Sequence, residues 1–177
     1  MSDQAGKPSL QMDAGEVLRL ITIFTQQGIT TWIDGGWAVD ALLGSQRRIH
    51  ADLDIAILHR DSEALRRLLE TEGYPEVPRD DSWECNYVMG DAAGHEVDVH
   101  TCTFDEQGKN IFGVAYPFES LQGRGSIKGK PVACITPEWL VKFHTGYPVD
   151  VTDYRDVKVL CERFGLEMPE EYLGFEG

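Results

Sequence analysis

Apolar residues recur at helical spacing in the first half of the chain and again near its end. Between residues 13 and 28 they form one stripe, with Asp13 as a candidate N-cap and Glu16 three positions later. In the tail, Thr136 precedes a proline and a glutamate, which is a strong helix start. The pattern predicts helices at residues 13–28, 38–43 and 61–71, and further helices within 136–164, with a second start at Thr152-Asp153.

Short runs of β-branched or alternating apolar residues separate these helices. They predict strands at residues 29–33, 53–58, 83–89, 96–102 and 111–115, and a hairpin over 126–135 that turns at Lys128-Gly129. Gly35 and Gly36 follow the first strand, and we expect this glycine pair to break regular structure before the next helix. The order of elements predicts an α+β fold, with a mixed β-sheet, flanking helices and a helical C-terminal end.

The length and composition fit a single domain. The chain has 177 residues, 42% of them hydrophobic, enough for one sizeable core. We divide it into a disordered lead at residues 1–12, a core at 13–135 and a C-terminal helical segment at 136–177 that packs on the core. No run approaches the roughly 20 apolar residues that cross a membrane, and the amino terminus does not resemble a signal peptide. These features predict a soluble, cytoplasmic protein.

Cysteine usage and charge narrow the choice of partners. The four cysteines form no C-x-x-C pair, which favours reduced thiols in a core over a disulfide or a zinc site. The formal net charge of −14 repels the phosphate backbone of nucleic acids and anionic membrane surfaces. It attracts divalent metals and amine-bearing ligands, although an acidic surface also serves solubility.

Two carboxylates flank Leu53 at the start of a predicted strand. The strand period of two points Asp52 and Asp54 to one face, whereas Leu53 falls on the other. At strand spacing the two carboxyl groups would lie about 5 to 7 Å apart, and they repel each other unless a hard cation binds between them. An exposed strand face or a helix cap is the alternative explanation. If the later strand at 96–102 is a neighbour, Asp98 becomes a third acid in the same cleft.

Three separated motifs resemble the nucleotidyltransferase superfamily of the DNA polymerase β type. They are a glycine pair that opens a helix, two aspartates on a strand and one aspartate on a later strand. The resemblance extends over about residues 13–164 and implies the fold of that superfamily and its transfer of a nucleotide to a hydroxyl group. The residues that carry it are Gly35 to Asp40, His50 to Asp54 and Val97 to His100.

Within the superfamily, the chain is most similar to the small antibiotic nucleotidyltransferases. The short lincosamide nucleotidyltransferases are nearest, and the aminoglycoside 2″-nucleotidyltransferase is more distant. This similarity implies transfer of a nucleoside monophosphate, with AMP favoured, from ATP or another nucleoside triphosphate to a hydroxyl of a small antibiotic, which inactivates the drug. It rests on Trp32 to Trp37, Phe143 to Tyr147 and Asp153 to Lys158.

The resemblance also implies a metal site. Two Mg²⁺ ions would be held by Asp52, Asp54 and Asp98, which are then the catalytic residues as well. In-line attack on the α-phosphorus needs such a clamp on the attacking and leaving oxygens. Asp98 would take the proton of the acceptor hydroxyl, a step worth roughly 10² to 10⁴ in rate, or would act as a plain metal ligand.

The nucleotide needs backbone N–H groups and positive charge. Gly35, Gly36 and Trp37 are candidates to bind it, because N–H groups at a helix start can approach phosphate oxygens. For His50 and His144 we expect structural hydrogen bonds to the backbone instead. Basic side chains suit a triphosphate, although each could equally be an ordinary solvated base. The candidates are Arg47, Arg48, Lys142 and Lys158.

Aromatic and acidic side chains flank the expected cleft and are candidates to bind the acceptor, although the aromatic ones fit a core equally well. A lincosamide has one amine and an apolar end, so it suits an aromatic pocket. An aminoglycoside would need several carboxylates. The candidate residues are Trp83, Glu84, Tyr87, Phe112 and Tyr116, and the further acids that could serve an aminoglycoside are Glu96, Asp105 and Glu106.

Two other functions stay open. A superfamily member could modify a protein partner, as toxin–antitoxin components do, or a tRNA end, although tRNA needs a basic groove. A catalytically silent nucleotide-binding module is the other alternative, and the presence of all three acids argues against it. The expected partners are a nucleoside triphosphate and a small amine-bearing antibiotic, without nucleic acid or membrane. A homodimer is left open.

Overall fold

A computed structural model describes residues 11–175 of the chain, and its centre is an eight-stranded mixed sheet. The strands are β1 (Thr31–Ile33), β2 (Asp52–Leu58), β3 (Glu76–Val77), β4 (Asn86–Gly90), β5 (Glu96–Phe104), β6 (Asn110–Gly113), β7 (Gly123–Ile127) and β8 (Lys130–Cys134). The helices are α1 (Ala14–Gln26), α2 (Gly35–Leu43), α3 (Ser62–Thr71), α4 (Pro137–Phe143) and α5 (Val151–Phe164). Short 3₁₀ turns lie at His59–Asp61, Phe118–Gln122 and Glu170–Tyr172.

The strand order is β3-β4-β5-β2-β1-β8-β7, and β6 pairs with β5 outside this path. Strand β2 lies near the middle, antiparallel to β1 and parallel to β5. Strand β1 is parallel to β8, which forms a hairpin with β7. The predicted α+β architecture with a mixed sheet is therefore confirmed.

One apolar core surrounds β2. Leu53, Ile55 and Ile57 are fully buried on one face of the strand, and apolar residues of α1 and α3 join the same cluster. Alternate residues of a strand point to opposite faces. Burial of these three side chains therefore leaves Asp52 and Asp54 together on the other face.

Helix α2 begins at Gly35, three residues before the predicted start at Ala38. The glycine pair lies in the first helical turn, so the expectation that it breaks regular structure is wrong. The reason is a helix cap: the Asp34 side chain accepts the N–H of Gly35 at 2.8 Å, and the helix starts directly after β1. Gly35 has a φ of 58°, which glycine adopts without strain.

Other strand boundaries differ by a few residues. Strand β4 begins at Asn86 and not at Trp83, because the backbones of these two residues bond to each other across a tight turn. Strand β7 begins at Gly123, so the hairpin around Lys128-Gly129 is longer than predicted. Strand β3, only two residues long, is absent from the prediction because it is too short for any period to show.

The C-terminal segment holds α4 and α5, which are joined by a loop at 144–150. Helix α5 begins at Val151, one residue before the predicted start, because Asp150 accepts the N–H groups of Thr152 at 2.7 Å and Asp153 at 2.9 Å. Both helices contact α2. The segment therefore packs on the helix that carries the glycine pair.

The predicted lead at residues 1–12 falls mostly outside the described residues. Its last member, Met12, is fully buried and donates its N–H to the His50 carbonyl at 2.9 Å, so the packed part of the chain starts before residue 13. All four cysteines are buried free thiols, as predicted. Within residues 11–175, no helix is long and apolar enough to cross a membrane.

Gly125 lets β7 approach α2, and its replacement tests this packing. A Cβ at this position would lie 2.5 Å from the backbone carbonyl of Ala41, which cannot move alone. We expect Gly125→Ala to lower the free energy of unfolding by about 1–3 kcal/mol. Each kcal/mol lowers Tm by about 2–4 °C in a chain of this size. Thermal unfolding beside Gly174→Ala, where a Cβ meets nothing within 4 Å, is the measurement, and equal Tm values would contradict the prediction.

Candidate active site

The acids singled out in the sequence meet at one end of β2 and β5. The parallel register sets Asp54 directly beside Asp98 and Asp52 beside Glu96. Asp52 is exposed, whereas Asp54 and Asp98 are partly buried. The structure thus brings the three predicted acids to one face and one end of the sheet.

These carboxylates repel one another. Burial raises the pKa of Asp54 well above its usual range, and the charges of Asp52, Asp34 and Asp98 raise it further. Burial also raises the pKa of Asp98. The Oδ1 atom of Asp98 is buried without a hydrogen-bond partner, and Nε2 of His100 lies 3.5 Å from it. The site therefore holds more negative charge than its own bases neutralise.

The acids fit a hard divalent cation, which would remove this repulsion. In the part of the chain that the structure describes, no group of three or more His, Cys, Asp or Glu side chains is placed so that it could hold a metal ion. Mg²⁺ is usually bound through one or two carboxylates, with water and substrate phosphates completing its shell. The unpartnered Oδ1 of Asp98, together with one carboxylate of Asp52 or Asp54, would supply oxygens to such an ion.

Asp34 is a fourth acid at this site that the sequence analysis does not single out. Its Oδ1 accepts the Gly35 N–H at 2.8 Å, and its Oδ2 accepts the Tyr116 hydroxyl at 2.6 Å. Its own N–H donates to the Asp54 carbonyl at 2.9 Å, which ties β1 to β2. The signal in the sequence is its place between a strand and a glycine pair, where a helix N-cap is expected.

The glycine pair permits two close approaches to the start of α2. A Cβ at Gly35 would overlap the Asp54 carboxylate. A Cβ at Gly36 would overlap the Arg48 guanidinium and lie 2.6 Å from Nδ1 of His50. Both positions therefore need glycine for steric reasons, beyond any contact with a nucleotide.

Trp37, the third candidate at this helix start, is a core residue. Its ring is buried and tilts against the His50 ring at 4.7 Å, and its Nε1–H donates to the Met12 carbonyl at 3.2 Å. Only its backbone N–H, in the first turn of α2, is left to contact a ligand.

The two candidate arginines are held by buried acids. Arg47 contacts Asp156 at 2.7 Å and Asp40 at 3.4 Å, and Arg48 contacts Asp156 at 3.0 Å. Asp40 and Asp156 are each 2% exposed. His50 bonds to the Asp40 carboxylate at 2.6 Å, so its role is structural as predicted, although its partner is a side chain and not the backbone.

The remaining bases contact their own helices. The ammonium groups of Lys142 and Lys158 lie 4.2 and 5.8 Å from the ring centroids of Trp139 and Tyr154. His144 bonds through Nδ1 to a carbonyl one helical turn earlier at 2.7 Å, as predicted. Both lysines are exposed, and none of these contacts joins them to the acids.

A cleft of about 310 Å³ opens beside Asp34 and His100. His100 lies two residues beyond Asp98 and on the same strand face, so a molecule in the cleft is next to the third acid. The Tyr116 hydroxyl donates to Asp34 and lies 3.1 Å from Nδ1 of His100. The other walls are Val114, Ala115, Tyr116 and Phe143.

Of the five candidate acceptor residues, Tyr116 is the one that lines this cleft. Tyr87 pairs with Val99 and is buried on the opposite face of the sheet, where its hydroxyl lies 3.0 Å from that of Ser62. The Arg66 guanidinium covers its ring at 3.4 Å. The structure therefore places Tyr87 in the core, as the alternative interpretation of the aromatic residues allows.

Trp83 and Phe112 contact each other, with ring centroids 6.4 Å apart. Phe112 also contacts His59, whose Nδ1 lies 2.8 Å from the Thr101 hydroxyl. Thr101 follows His100 on β5, so its side chain points to the face of the strand opposite the one that carries Asp98. Glu84 is exposed, and neither Glu84 nor Trp83 lines the cleft, whereas Phe112 lines a neighbouring cavity of about 400 Å³ that shares Ala115 and Tyr116 with it.

The repulsion among the acids leads to a prediction for the melting temperature of an Asp54 variant. At alkaline pH, where Asp54 is ionised despite its raised pKa, Asp54→Asn removes one charge and keeps the shape of the side chain, so we expect Tm in a chelator to rise by about 2–4 °C for about 1 kcal/mol of relieved repulsion. Mg²⁺ should raise the Tm of the wild type and leave that of the variant nearly unchanged. Glu63→Gln, at an exposed site on α3, is the control and should respond to Mg²⁺ as the wild type does. A lower Tm for Asp54→Asn in chelator would contradict the prediction.

Comparison with known proteins shows which family this chain resembles in sequence. The sequence pattern of the family described as aminoglycoside-2''-adenylyltransferase matches residues 16–160. A lincosamide resistance protein from Staphylococcus haemolyticus is 30% identical over 155 residues, which cover 82% of this chain and 92% of that relative.

Two solved structures are similar in fold. Lincomycin-bound lincosamide antibiotic adenylyltransferase LnuA superimposes with a TM-score of 0.74 at 24% identity, over 85% of this chain and 97% of that one. ANT(2'')-Ia in complex with adenylyl-2''-tobramycin has a TM-score of 0.72 at 19% identity, over 86% and 89%. The resemblance inferred from the motifs is thus confirmed. The chain belongs to the aminoglycoside-2''-adenylyltransferase family and is a nucleotidyltransferase.

Proposed function

We propose that this enzyme transfers AMP from ATP, or the corresponding group from another nucleoside triphosphate, to a hydroxyl of an amine-bearing antibiotic, and that it needs Mg²⁺. The observation that carries the proposal is the alignment of Asp54 with Asp98 next to Gly35, where a nucleotide and cations can meet. The transfer inactivates the drug. We place it in the cytoplasm, where nucleoside triphosphates are supplied.

Each part of the site has its own role. Two Mg²⁺ ions held by Asp52, Asp54 and Asp98 would supply positive charge to the attacking and leaving oxygens. The N–H groups in the first turn of α2 bind phosphate oxygens. Asp98 takes the proton of the acceptor hydroxyl, because its Oδ1 has no hydrogen-bond partner and His100, on the same face, lines the cleft.

The cleft favours a lincosamide as acceptor. Its walls at Val114, Ala115 and Phe143 are apolar, and Asp34 is its carboxylate. A ligand with one amine and an apolar remainder fits such a surface, whereas several amines against apolar walls would lose their hydration without gaining partners. The names of the Staphylococcus haemolyticus relative and of LnuA support the same choice.

An aminoglycoside is the second candidate, because additional acids surround Asp98. The carboxylates of Asp52, Asp81 and Asp34 all add negative charge there, and the family itself is described by aminoglycoside-2'' adenylylation. A polyamine could use this charge if it lay nearer the acids than the apolar walls.

Two of the acids considered for an aminoglycoside are already engaged. Glu96 forms an ion pair with Arg79. Asp105 accepts the N–H groups of Gln107 at 2.9 Å and Lys109 at 2.8 Å within its own turn. Fewer carboxylates are therefore free to bind several amines, and we favour a lincosamide over an aminoglycoside as the acceptor.

Product masses test the function. The enzyme is incubated with Mg²⁺, each of ATP, GTP, CTP and UTP, and a panel of lincosamides and aminoglycosides. We expect a lincosamide whose mass has grown by one AMP group, formed fastest with ATP. Asp52→Asn and Asp54→Asn should be folded and inactive, because each removes a metal-binding carboxylate while keeping its shape.

Ionic strength separates the two acceptor classes in the same assay. Between about 0.1 and 1 M salt the screening length falls from about 10 to 3 Å, so a polyamine held by several carboxylates loses affinity steeply. A lincosamide held by apolar walls should keep most of its affinity. If neither class is modified with any nucleotide, the antibiotic is the wrong acceptor. Activity of Asp54→Asn with Mg²⁺ would overturn the metal role.

Asp98→Asn separates the chemical step from nucleotide binding. We expect kcat to fall by at least about 10², the lower end of a general-base contribution. The Kd for a non-hydrolysable ATP analogue, measured by calorimetry, should change little. Asp80→Asn, at an exposed acid, is the control. If nucleotide affinity disappears together with the rate, Asp98 is chiefly a metal ligand.

A further inference from the structure

Asp156 joins α5 to the loop that enters β2. Its carboxylate is buried, with Oδ1 at 2.7 Å from Nη2 of Arg47 and Oδ2 at 3.0 Å from Nη2 of Arg48. Arg47 also meets Asp40 at 3.4 Å, so two acids share its charge. Arg48 has Asp156 as its acidic partner.

Arg48 lies against the start of α2, next to the position that contacts Asp54. A Cβ at Gly36 would overlap its Nη2, so the guanidinium sits against the first helical turn. The preceding residue, Gly35, lies against the Asp54 carboxylate in the same way, so neighbouring positions of the turn contact the base and the acid. The Arg48 side chain is 37% exposed.

The geometry leaves one edge of Arg48 available. Asp156 faces Nη2 and, at 3.5 Å, Nε. The remaining Nη1 has a long contact of 3.5 Å to the Ile49 carbonyl. Because a guanidinium carries five N–H donors, donors remain for an anionic ligand.

We propose that Asp156 is a positioning residue that holds Arg48 beside the first turn of α2, so that Arg48 binds the triphosphate of the nucleotide. This inference rests on the proposed function. The N–H groups of α2 and the guanidinium would then hold the same phosphates from two sides.

Fixing the arginine in advance has a physical benefit. A free arginine loses much rotamer freedom when it binds a ligand, whereas one already held by a carboxylate loses less. Burial of Asp156 makes this hold rigid. Burying a carboxylate is unfavourable unless its partners are well placed, and two guanidinium groups satisfy it here.

Affinities for two nucleotides test the proposal. Calorimetry gives Kd for a non-hydrolysable ATP analogue and for AMP, with wild type and with Asp156→Asn. We expect the affinity for the triphosphate to fall about tenfold or more, the scale of a lost hydrogen bond to a charged group. The affinity for AMP should change little, because AMP lacks the β- and γ-phosphates. The ratio of the two affinities is the readout, since a general loss of packing would lower both.

Asp40→Asn is the matched control. Asp40 is as buried as Asp156 and contacts Arg47 and His50, but not Arg48. We expect this variant to lower Tm and to keep the affinity ratio of the wild type. Arg48→Gln should lower the ratio, and adding Asp156→Asn to it should lower the ratio no further, because Asp156 acts through Arg48.

Three outcomes would overturn the proposal. One is a wild-type affinity ratio in Asp156→Asn, and another is a further loss of triphosphate affinity in the double variant. If Asp156→Asn does not fold, Arg48→Lys is measured in its place, because it keeps both the positive charge and Asp156. An unchanged affinity ratio in Arg48→Lys is the third outcome. Failure of the proposed function has a different signature: the wild type would bind the ATP analogue and transfer nothing to any antibiotic.

Discussion

Parallel pairing of β2 with β5 sets Asp54 beside Asp98, and the fold has to hold these like charges together. The opposite face of the same strands fixes the pairing, because Leu53, Ile55 and Val97 are fully buried there. A slip of one residue would expose these side chains and bury the acids, so the apolar core maintains the repulsion. The free energy gained by burying the apolar core therefore offsets the repulsion among the acids.

In the cleft beside Asp34, polar groups are already paired with one another. The Tyr116 hydroxyl donates to the Asp34 carboxylate, so it accepts a hydrogen bond from Nδ1 of His100. Nε2 of His100 then faces Asp98. Because Asp34, Tyr116 and the Nδ1 atom of His100 satisfy one another, the neighbouring wall can be apolar, while the buried Oδ1 of Asp98 stays without a hydrogen-bond partner. Such a surface suits a ligand that is itself largely apolar.

Local periodicity is sufficient to predict that the three acids share a strand face. It is not sufficient to predict whether an aromatic side chain lies in the core or in the cleft. Asp52, Asp54 and Asp98 share a face because alternation along a strand is a property of the strand itself. Tyr87 alternates just as clearly, yet whether its face meets α3 or the cleft depends on tertiary packing. The partner of Arg48 lies 108 residues away in sequence, so no local pattern could reveal that Asp156 holds it.

The C-terminal helices contribute to both sides of the site. Helix α5 carries Asp156, which holds the arginines that precede β2, and α4 carries Phe143, whose ring packs against Tyr116 at 5.5 Å in the cleft. Both helices pack on α2, which carries the glycine pair. In-line transfer requires the acceptor hydroxyl and the α-phosphorus to be aligned within a small tolerance. Under the proposed function, a shift of α4 and α5 against α2 would move the phosphate side and the acceptor side at once, so the alignment of the two substrates would depend on the packing of these three helices.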